Sequence, residues 1–228
     1  MFDPYNKQML LRKLPGLSAM ARVVFASSCA SRLFPTYELI HEKEGSGDPS
    51  RLKASLDYCW ESVLTGVKDE AGCKLQLEVV EDLVNAAYSS ASAFPHYSQD
   101  ATSIVYYSLH SLIFEEIEDP IWAVQCIYES VGRYIVTKEG LLLKGKQGLK
   151  GEKLVSRIND SPLMQQEFSR ELRDIEELSN GYSPERAQLV RRRAETEPAF
   201  PAELPDTSNL PSVRLIQAMM LSDNEFCL

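Results

Sequence analysis

The segment SQDATSIVYYSLHSLIFEEIE, residues 98–118, decides the fold that the sequence predicts. Drawn as a helix, it carries apolar side chains around most of its circumference, and residues 120–142 have the same character. Helices that are apolar on nearly all sides belong at the centre of a bundle. Because the junction at Asp119 leaves almost no loop, we expect the two helices to be antiparallel neighbours in the core, with Tyr106 and Trp122 largely buried.

Proline junctions divide the rest of the chain into further helices. A Ser or Asp before proline can cap a helix, because its side-chain oxygen accepts a backbone N–H and proline tolerates the first helical position. The junctions are Asp3-Pro4, Asp48-Pro49, Asp119-Pro120, Ser161-Pro162 and Ser183-Pro184. Apolar residues recur at helical spacing over residues 17–33, 49–64, 75–91 and 164–175. The sequence therefore predicts an all-α fold, a compact multi-helix bundle of about eight helices without a sheet.

The composition changes near residue 195. We expect residues 1–195 to form the helical bundle domain and residues 196–228 to form a Pro-rich linker and a short C-terminal amphipathic helix. The apolar side of that last helix carries Val213, Ile216, Met219 and Met220. So short a helix is unstable alone in water. It must dock either on its own bundle or on a second subunit, and the second arrangement would be a homodimer.

Charge and hydropathy limit the classes of partner. The net charge is −9 and the sequence pI is near 5.0. This excess of carboxylates argues against binding nucleic acid or an anionic membrane, and it suits a basic protein partner. The sequence contains no apolar run of about eighteen residues, so no membrane span is predicted. The N-terminus MFDPYNKQMLLRKLPG lacks the pattern of a signal peptide, so the predicted location is the cytoplasm.

The cysteines fit the same location. The chain has five of them and no CxxC pair. We interpret Cys29, Cys59 and Cys126 as small core residues in a reducing compartment, since each falls on an apolar helix face. A catalytic thiol would need a neighbouring base, and no histidine lies close to these positions in the sequence.

The stretch GLLLKGKQ, residues 140–147, resembles a phosphate-binding loop. Such a loop leaves a strand and enters a helix, so that backbone amides converge on the phosphates. Here Gly140 follows a helical segment, and Gln147 replaces the hydroxyl that would contact magnesium. We therefore expect no nucleotide site and no cofactor.

Other chemical motifs are equally weak. The three histidines, His41, His96 and His110, form neither HExxH nor an ExxH pair, so no metal site is predicted. No GxSxG turn or comparable nucleophile motif is present, and no catalytic residue is assigned. The basic run at residues 191–193 is interpreted as the end of a helix, where cations complement the helix dipole.

Arg32, Tyr37, Asp57 and Trp60 form the candidate structural or binding cluster. Arg32 lies on the apolar side of helix 17–33, and Asp57 and Trp60 are three residues apart on the next helix. A partly buried arginine needs a carboxylate or a ring beside it to offset its desolvation. The structural interpretation is an Arg32–Asp57 ion pair that locks the first helical hairpin, with Tyr37 and Trp60 packed against it. The functional interpretation makes the same four residues line a binding groove.

The runs RVVFASSCASRLFPTYELI and SRLKASLDYCWESVL resemble the YjaG-like family, domain of unknown function 416. The residues that carry the resemblance are Phe25, Cys29, Arg32, Pro35, Tyr37, Asp57 and Trp60. It extends over roughly residues 8–195 and includes PLMQQEFSRELRDIEELSN. The resemblance implies a compact all-α domain of the bacterial cytoplasm, and it assigns no catalytic residue.

Two classes of function remain open from the sequence. The first is a non-enzymatic protein-interaction module, one version of which is an immunity- or inhibitor-type protein that neutralises a basic toxin. The second is a small-ligand binder or enzyme with a pocket near Tyr37, Trp60 and His110. A deep pocket with converging polar groups would favour the second class, and a broad acidic face would favour the first.

Overall fold

The computed structural model of the chain describes residues 9–10, 12–141, 151–201 and 203–205. Over these ranges the secondary structure is a 3₁₀ turn at Leu14–Gly16 and eight α-helices, with no strand. The helices are α1 (Ala19–Glu44), α2 (Pro49–Thr65), α3 (Glu70–Tyr88), α4 (Pro95–Phe114), α5 (Glu118–Lys138), α6 (Glu152–Asn159), α7 (Pro162–Ser179) and α8 (Pro184–Thr196). The predicted all-α bundle is confirmed.

Several helices begin where the capping pattern places them. The side chain of Asp48 accepts the backbone N–H of Arg51 at the start of α2, and Ser183 accepts that of Arg186 at the start of α8. At the start of α5 the pattern is different. That helix begins one residue before Asp119, whose carboxylate contacts His110 instead of a backbone amide.

Helix α1 is longer than the sequence pattern predicts. The predicted helix ends at residue 33, but the observed one continues through Pro35 to Glu44. Proline inside a helix removes the N–H that the carbonyl four residues earlier would accept. Next to this defect, the carbonyl of Arg32 accepts a hydrogen bond from the backbone N–H of Ala199, at 2.9 Å. The chain that follows α8 therefore contacts α1 where proline interrupts its hydrogen bonding.

Helices α4 and α5 pack against each other as predicted. The beginning of α4 contacts the end of α5 through Asp100 and Arg133, and the end of α4 contacts the beginning of α5 through His110 and Asp119. These pairings make the helices antiparallel. Helix α1 is buried more extensively, because every residue from 21 to 37 except Pro35 is inside the bundle.

The expected burial of two aromatic residues is wrong or only partly right. Trp122 on α5 is 51% exposed, and Tyr106 on α4 is only partly buried. Helix α1 takes the inner position, so part of the apolar circumference of α4 and α5 faces outward. An apolar surface of that kind has the same sequence pattern whether it meets a core or remains open.

The segment after α8 packs on the bundle as far as it is described. Ala199 and Phe200 are buried, and the Phe200 ring stacks on Tyr134 with centroids 4.7 Å apart. The predicted C-terminal amphipathic helix lies outside the described residues, as does most of the stretch 140–147. No helix in the described part of the chain is long and apolar enough to cross a bilayer.

Candidate functional site

The prediction that Arg32 pairs with Asp57 is wrong. Arg32 is 2% exposed, and its Nε lies 2.6 Å from Oε1 of Glu167, while its Nη1 lies 2.9 Å from Oδ2 of Asp174. Asp57 pairs instead with Lys53 and with Arg191, whose Nη2 is 3.0 Å from Oδ1 of Asp57. The reason is geometric. Helix α1 turns Arg32 toward α7, and Asp57 lies at the bundle surface with a third of its side chain exposed.

Tyr37 and Trp60 are both buried inside the bundle. Each is 1% exposed, so neither lines an open groove. The indole N–H of Trp60 donates to Oγ of Ser31 at 2.9 Å, and the Tyr37 hydroxyl accepts the backbone N–H of Asp48 at 3.0 Å. These contacts join α1 to α2 and to the loop before it.

Three buried carboxylates face Arg32 from α7, and the sequence analysis did not identify them. Glu167, Glu171 and Asp174 occupy positions i, i+4 and i+7, and all three are at most 1% exposed. The predicted apolar stripe on this helix consists of Met164, Phe168, Leu172 and Ile175. Met164 and Ile175 are buried, but Phe168 and Leu172 are only partly buried. One detectable signal was the spacing of the acids, which repeats every three to four residues as a buried face does.

Two of these carboxylates are neutralised by arginines. Arg170 Nη1 lies 3.2 Å from Oε2 of Glu167, and Arg193 Nη2 lies 2.9 Å from Oδ1 of Asp174. Together with Arg32, these contacts join α1, α7 and α8 in a dry core. A buried charge is tolerated only when its partners and hydrogen bonds are complete. This charged core cluster is therefore a structural lock.

Glu171 is the exception within the charged core cluster. Its Oε2 accepts the Tyr128 hydroxyl at 2.5 Å, but its Oε1 has no hydrogen-bond partner in the described structure. Burial raises the pKa of Glu171 well above its usual value, and the neighbouring carboxylates of Glu167 and Asp174 raise it further. Both effects favour the protonated, neutral form of Glu171, whose carboxyl group has the Tyr128 hydroxyl and no arginine as a partner in the described structure.

A surface pocket lies between α3 and α4, away from the charged core cluster. It is an open pocket of about 350 Å³. Its lining residues are Glu81, Val84, Asn85, Tyr88, Ser103, Tyr106 and Tyr107. The predicted pocket residues Tyr37 and Trp60 are not among them. His110, the third predicted residue, contacts the pocket only through the ring of Tyr106.

The pocket continues into a row of aromatic rings along α4. The rings of Tyr106 and Tyr107 meet edge to face with centroids 5.7 Å apart, and Tyr106 stacks on His110 at 5.6 Å. His110 contacts Phe114 at 4.5 Å. Tyr88 lies across the pocket from these rings, and we call the five residues together the ring line: Tyr88, Tyr107, Tyr106, His110 and Phe114.

His110 is held in place by Asp119. Its Nδ1 lies 2.9 Å from Oδ2 of Asp119, which is almost fully buried. Burial raises the pKa of Asp119, and the hydrogen bond to His110 opposes that rise. No hydroxyl or thiol of the described residues is hydrogen-bonded to His110. The imidazole is thus oriented for stacking on Tyr106 and is not aligned with a nucleophile of the described residues.

Exposed apolar residues extend the ring line around the corner between α4 and α5. Phe114 is 53% exposed, Ile117 is 41% exposed and Trp122 is 51% exposed. Trp122 lies one helical turn after Asp119, the residue bonded to His110. Exposed carboxylates lie beside this surface: Glu81 lines the pocket, and Glu115, Glu116 and Glu118 occupy the corner between α4 and α5. We call this whole surface, the ring line with Ile117, Trp122 and the four glutamates, the aromatic–acidic face.

The described residues contain no cluster of potential metal ligands. No group of three or more His, Cys, Asp or Glu side chains there is arranged to hold an ion. The carboxylates of the charged core cluster are instead occupied by arginines and by Tyr128. The described structure is therefore a helical bundle with a charged core cluster inside and the aromatic–acidic face on its surface.

The fold and this surface describe an all-α helical bundle with a charged core, and comparison with known proteins gives its family. The family model described as a protein of unknown function, DUF416, matches residues 9–197. The chain therefore belongs to the DUF416 family, which confirms the resemblance noted in the sequence.

Two further comparisons complete the picture. No curated protein matches the chain. Among solved structures, the chain is similar to a DUF416 family protein from Shewanella baltica, with 20% identity and a TM-score of 0.67. The match covers 81% of this chain and 92% of that one. At this level of identity the likeness shows the shared fold alone.

Proposed function

We propose that this protein is a non-enzymatic interaction module of the bacterial cytoplasm that binds a protein partner through the aromatic–acidic face. The ring line carries the proposal. Single exposed aromatic residues are ordinary, but contiguous apolar patches on a protein surface mark sites of interaction. Tyr, Trp and Phe are also the residues enriched at protein interfaces, where a few of them supply most of the binding energy.

The shape of the pocket favours a macromolecular partner over a small ligand. Small-molecule sites are concave and enclose most of the ligand surface. The pocket between α3 and α4 is open and runs directly into the stacked rings of Tyr106 and His110. A ligand confined to the pocket would leave Phe114 and Trp122 uncovered, whereas a protein segment covers the pocket and the rings together.

The cysteines support the proposed location. Cys29, Cys59, Cys73 and Cys126 are all free thiols, and the first three are buried. Structural disulfides form in oxidising compartments, and thiols stay reduced in the cytoplasm. Buried free thiols serve there as small apolar core residues.

Photo-crosslinking in the native host tests the proposal. A benzoylphenylalanine placed at Tyr88, which is 66% exposed, should crosslink to a second protein. The matched control is the same residue at Leu189, which is 43% exposed on α8, away from the face. The crosslink at Tyr88 should also be lost when Trp122 is replaced by serine in the same chain. Equal crosslinking at Tyr88 and Leu189, or none at Tyr88, would contradict the proposal.

A further inference from the structure

We infer that the partner segment is a basic amphipathic α-helix, which packs its apolar side on the ring line and directs Lys or Arg side chains to the surrounding glutamates. This inference rests on the proposed function, because it names the chemistry of the partner for the same face. It follows from the spacing of the rings, from their electronic character and from the charges around them.

The spacing of the rings fits a helix. Tyr106, His110 and Phe114 are each four residues apart on α4, so the three rings repeat once per turn. They extend over about 12 Å at the α-helical rise of 1.5 Å per residue. A helix laid along α4 presents apolar residues at i, i+3, i+4 and i+7, and these recur at the same interval.

The pocket gives the docked helix an anchor point. It lies at one end of the ring line between Tyr88 and Tyr106, with Val84 at its apolar wall. Its volume of about 350 Å³ accepts one large apolar side chain of the partner. Anchors of this kind, buried in a well-formed pocket, are where interface energy concentrates.

The surrounding charges select a basic partner. Glu81 lies at the pocket, and Glu115, Glu116 and Glu118 follow one another at the corner between α4 and α5. Two cations contact this corner: Lys68 pairs with the Glu115 carboxylate, and Arg22, which is 9% exposed, donates to the Glu115 carbonyl. Carboxylates at the rim of an interface accelerate association with a cationic partner and exclude an anionic one. The faces of the aromatic rings also attract Lys and Arg, which is the cation–π interaction.

Two other occupants fit this surface less well. The chain segment 206–228 carries one basic residue, Arg214, against Asp206, Asp223 and Glu225, so its charge does not complement the face. A second copy of the chain has a net charge of −9 and would bring the same glutamates to the contact. Like charges placed opposite each other at an interface cost binding energy.

Peptide selection against the full-length protein tests the inference. Three pools of helical peptides, each of about five turns, share apolar residues on one face. Their other face is drawn from Lys and Arg, from Glu and Asp, or from Ser and Gln. We expect enrichment from the Lys/Arg pool. For an enriched peptide, fluorescence anisotropy should show about tenfold or greater weakening with Trp122→Ser and weaker binding, less dependent on salt, with Glu116→Lys.

Matched variants separate the face from general effects. Leu189→Ser and Glu176→Lys change an exposed apolar residue and an exposed acid outside the aromatic–acidic face, and they should leave peptide binding unchanged. Thermal melting of Trp122→Ser checks that the bundle is intact, and Phe114→Ser provides a second variant of the face. Both residues are more than half exposed, so their replacement leaves the core packing unaltered.

Several results would overturn the inference. They are enrichment from the acidic or neutral pool, no enrichment from any pool, and peptide binding that survives Trp122→Ser. Crosslinks from Tyr88 to residues 206–228 of the same chain, or to a second copy, would identify another occupant and would overturn it too. If Tyr88 crosslinks a heterologous protein but the basic pool is not favoured, the proposed function stands and the inferred partner chemistry fails.

Discussion

Arg32 on α1 and Glu167 on α7 form a salt bridge of 2.6 Å inside the core, although 135 positions separate them in the sequence. Neither side chain is more than 2% exposed. Asp174 accepts a further hydrogen bond from Arg32, and Arg170 donates one to Glu167. Removing one partner leaves the other as an uncompensated charge in a dry environment, which is far more costly than losing a surface ion pair.

Glu167→Gln should therefore destabilise the bundle strongly. We expect the free energy of unfolding to fall by about 3–5 kcal/mol, the range for breaking a buried ion pair on one side. Urea denaturation at neutral pH measures it. Glu176→Gln, an exposed change on the same helix, is the control and should leave the midpoint unchanged. Similar midpoints for the two variants would mean that Glu167 is not a necessary partner of Arg32.

Glu171→Gln should act in the opposite way at neutral and alkaline pH. Because burial raises the pKa of Glu171 in the folded state, the folded chain holds a proton that the unfolded chain releases above about pH 4.5. The stabilising effect of that proton is complete below the unfolded pKa and declines as the pH rises toward the folded pKa. The glutamine variant has no such proton to lose.

The measurement for Glu171 is the free energy of unfolding at pH 5 and at pH 8. We expect it to decline more between these values in the wild type than in Glu171→Gln. Burial also raises the pKa of Asp100, to about 6, and this group contributes a decline of the same sign below that pH. Asp100 is present in both proteins, so their difference isolates Glu171. Parallel curves would show that Glu171 is ionised in the folded state.

The two tryptophans should differ sharply in their effect on stability. Trp60 is 1% exposed and donates its indole N–H to Ser31, so Trp60→Ala should cost about 3–5 kcal/mol, as expected for a large core truncation. Trp122 is 51% exposed, and Trp122→Ala should cost less than about 1 kcal/mol. Chemical denaturation of the two variants side by side tests the order. A large loss with Trp122→Ala would place that residue in the core, as the sequence first suggested.

Two glycines in the loop between α1 and α2 provide a matched pair. Gly45 and Gly47 both have positive φ values, 65° and 83°, which L-residues adopt only with strain. A Cβ at Gly45 would meet no atom within 4 Å, whereas a Cβ at Gly47 would lie 2.5 Å from the hydroxyl oxygen of Tyr37.

Gly47→Ala should therefore be more destabilising than Gly45→Ala. Gly45→Ala carries the backbone strain alone, about 1 kcal/mol, and Gly47→Ala adds the displacement of the Tyr37 ring from its buried site. Denaturation midpoints of the two variants measure the difference. The same Cβ would also lie 2.7 Å from the ring carbon Cζ of Tyr37, so the end of the ring must move. Equal midpoints for both alanine variants would contradict this clash.

The sequence predicted those features of the fold that local physics controls. The start of α2 at Asp48 and of α8 at Ser183 depends on side chains that cap neighbouring amides, so a few residues suffice to predict it. The antiparallel pairing of α4 and α5 follows in the same way from the short connection at Asp119. The all-α class needed no information beyond such local patterns.

The features that the sequence did not predict depend on how helices dock. Arg32 needed a carboxylate, and Asp57 was the near one in sequence, but Glu167 and Asp174 are the ones that the packing of α7 brings to it. On α7 itself, the apolar and acidic stripes are adjacent, and periodicity alone does not say which faces inward. The exposure of Trp122 was missed for a related reason, since an exposed apolar surface and a core surface have the same sequence pattern.

The hydrogen bond from the N–H of Ala199 to the carbonyl of Arg32 has a consequence for synthesis of the chain on the ribosome. Arg32 lies early in the chain, yet its carbonyl bonds to Ala199 and its guanidinium pairs with Glu167 and Asp174, all of which are synthesised much later. Contacts between such distant residues form late and slow the search for the native state, because a long loop must close first. While the nascent chain ends before α7, the Arg32 side chain has none of its native carboxylate partners, and α1 must remain hydrated or held by chaperones until the last helices emerge.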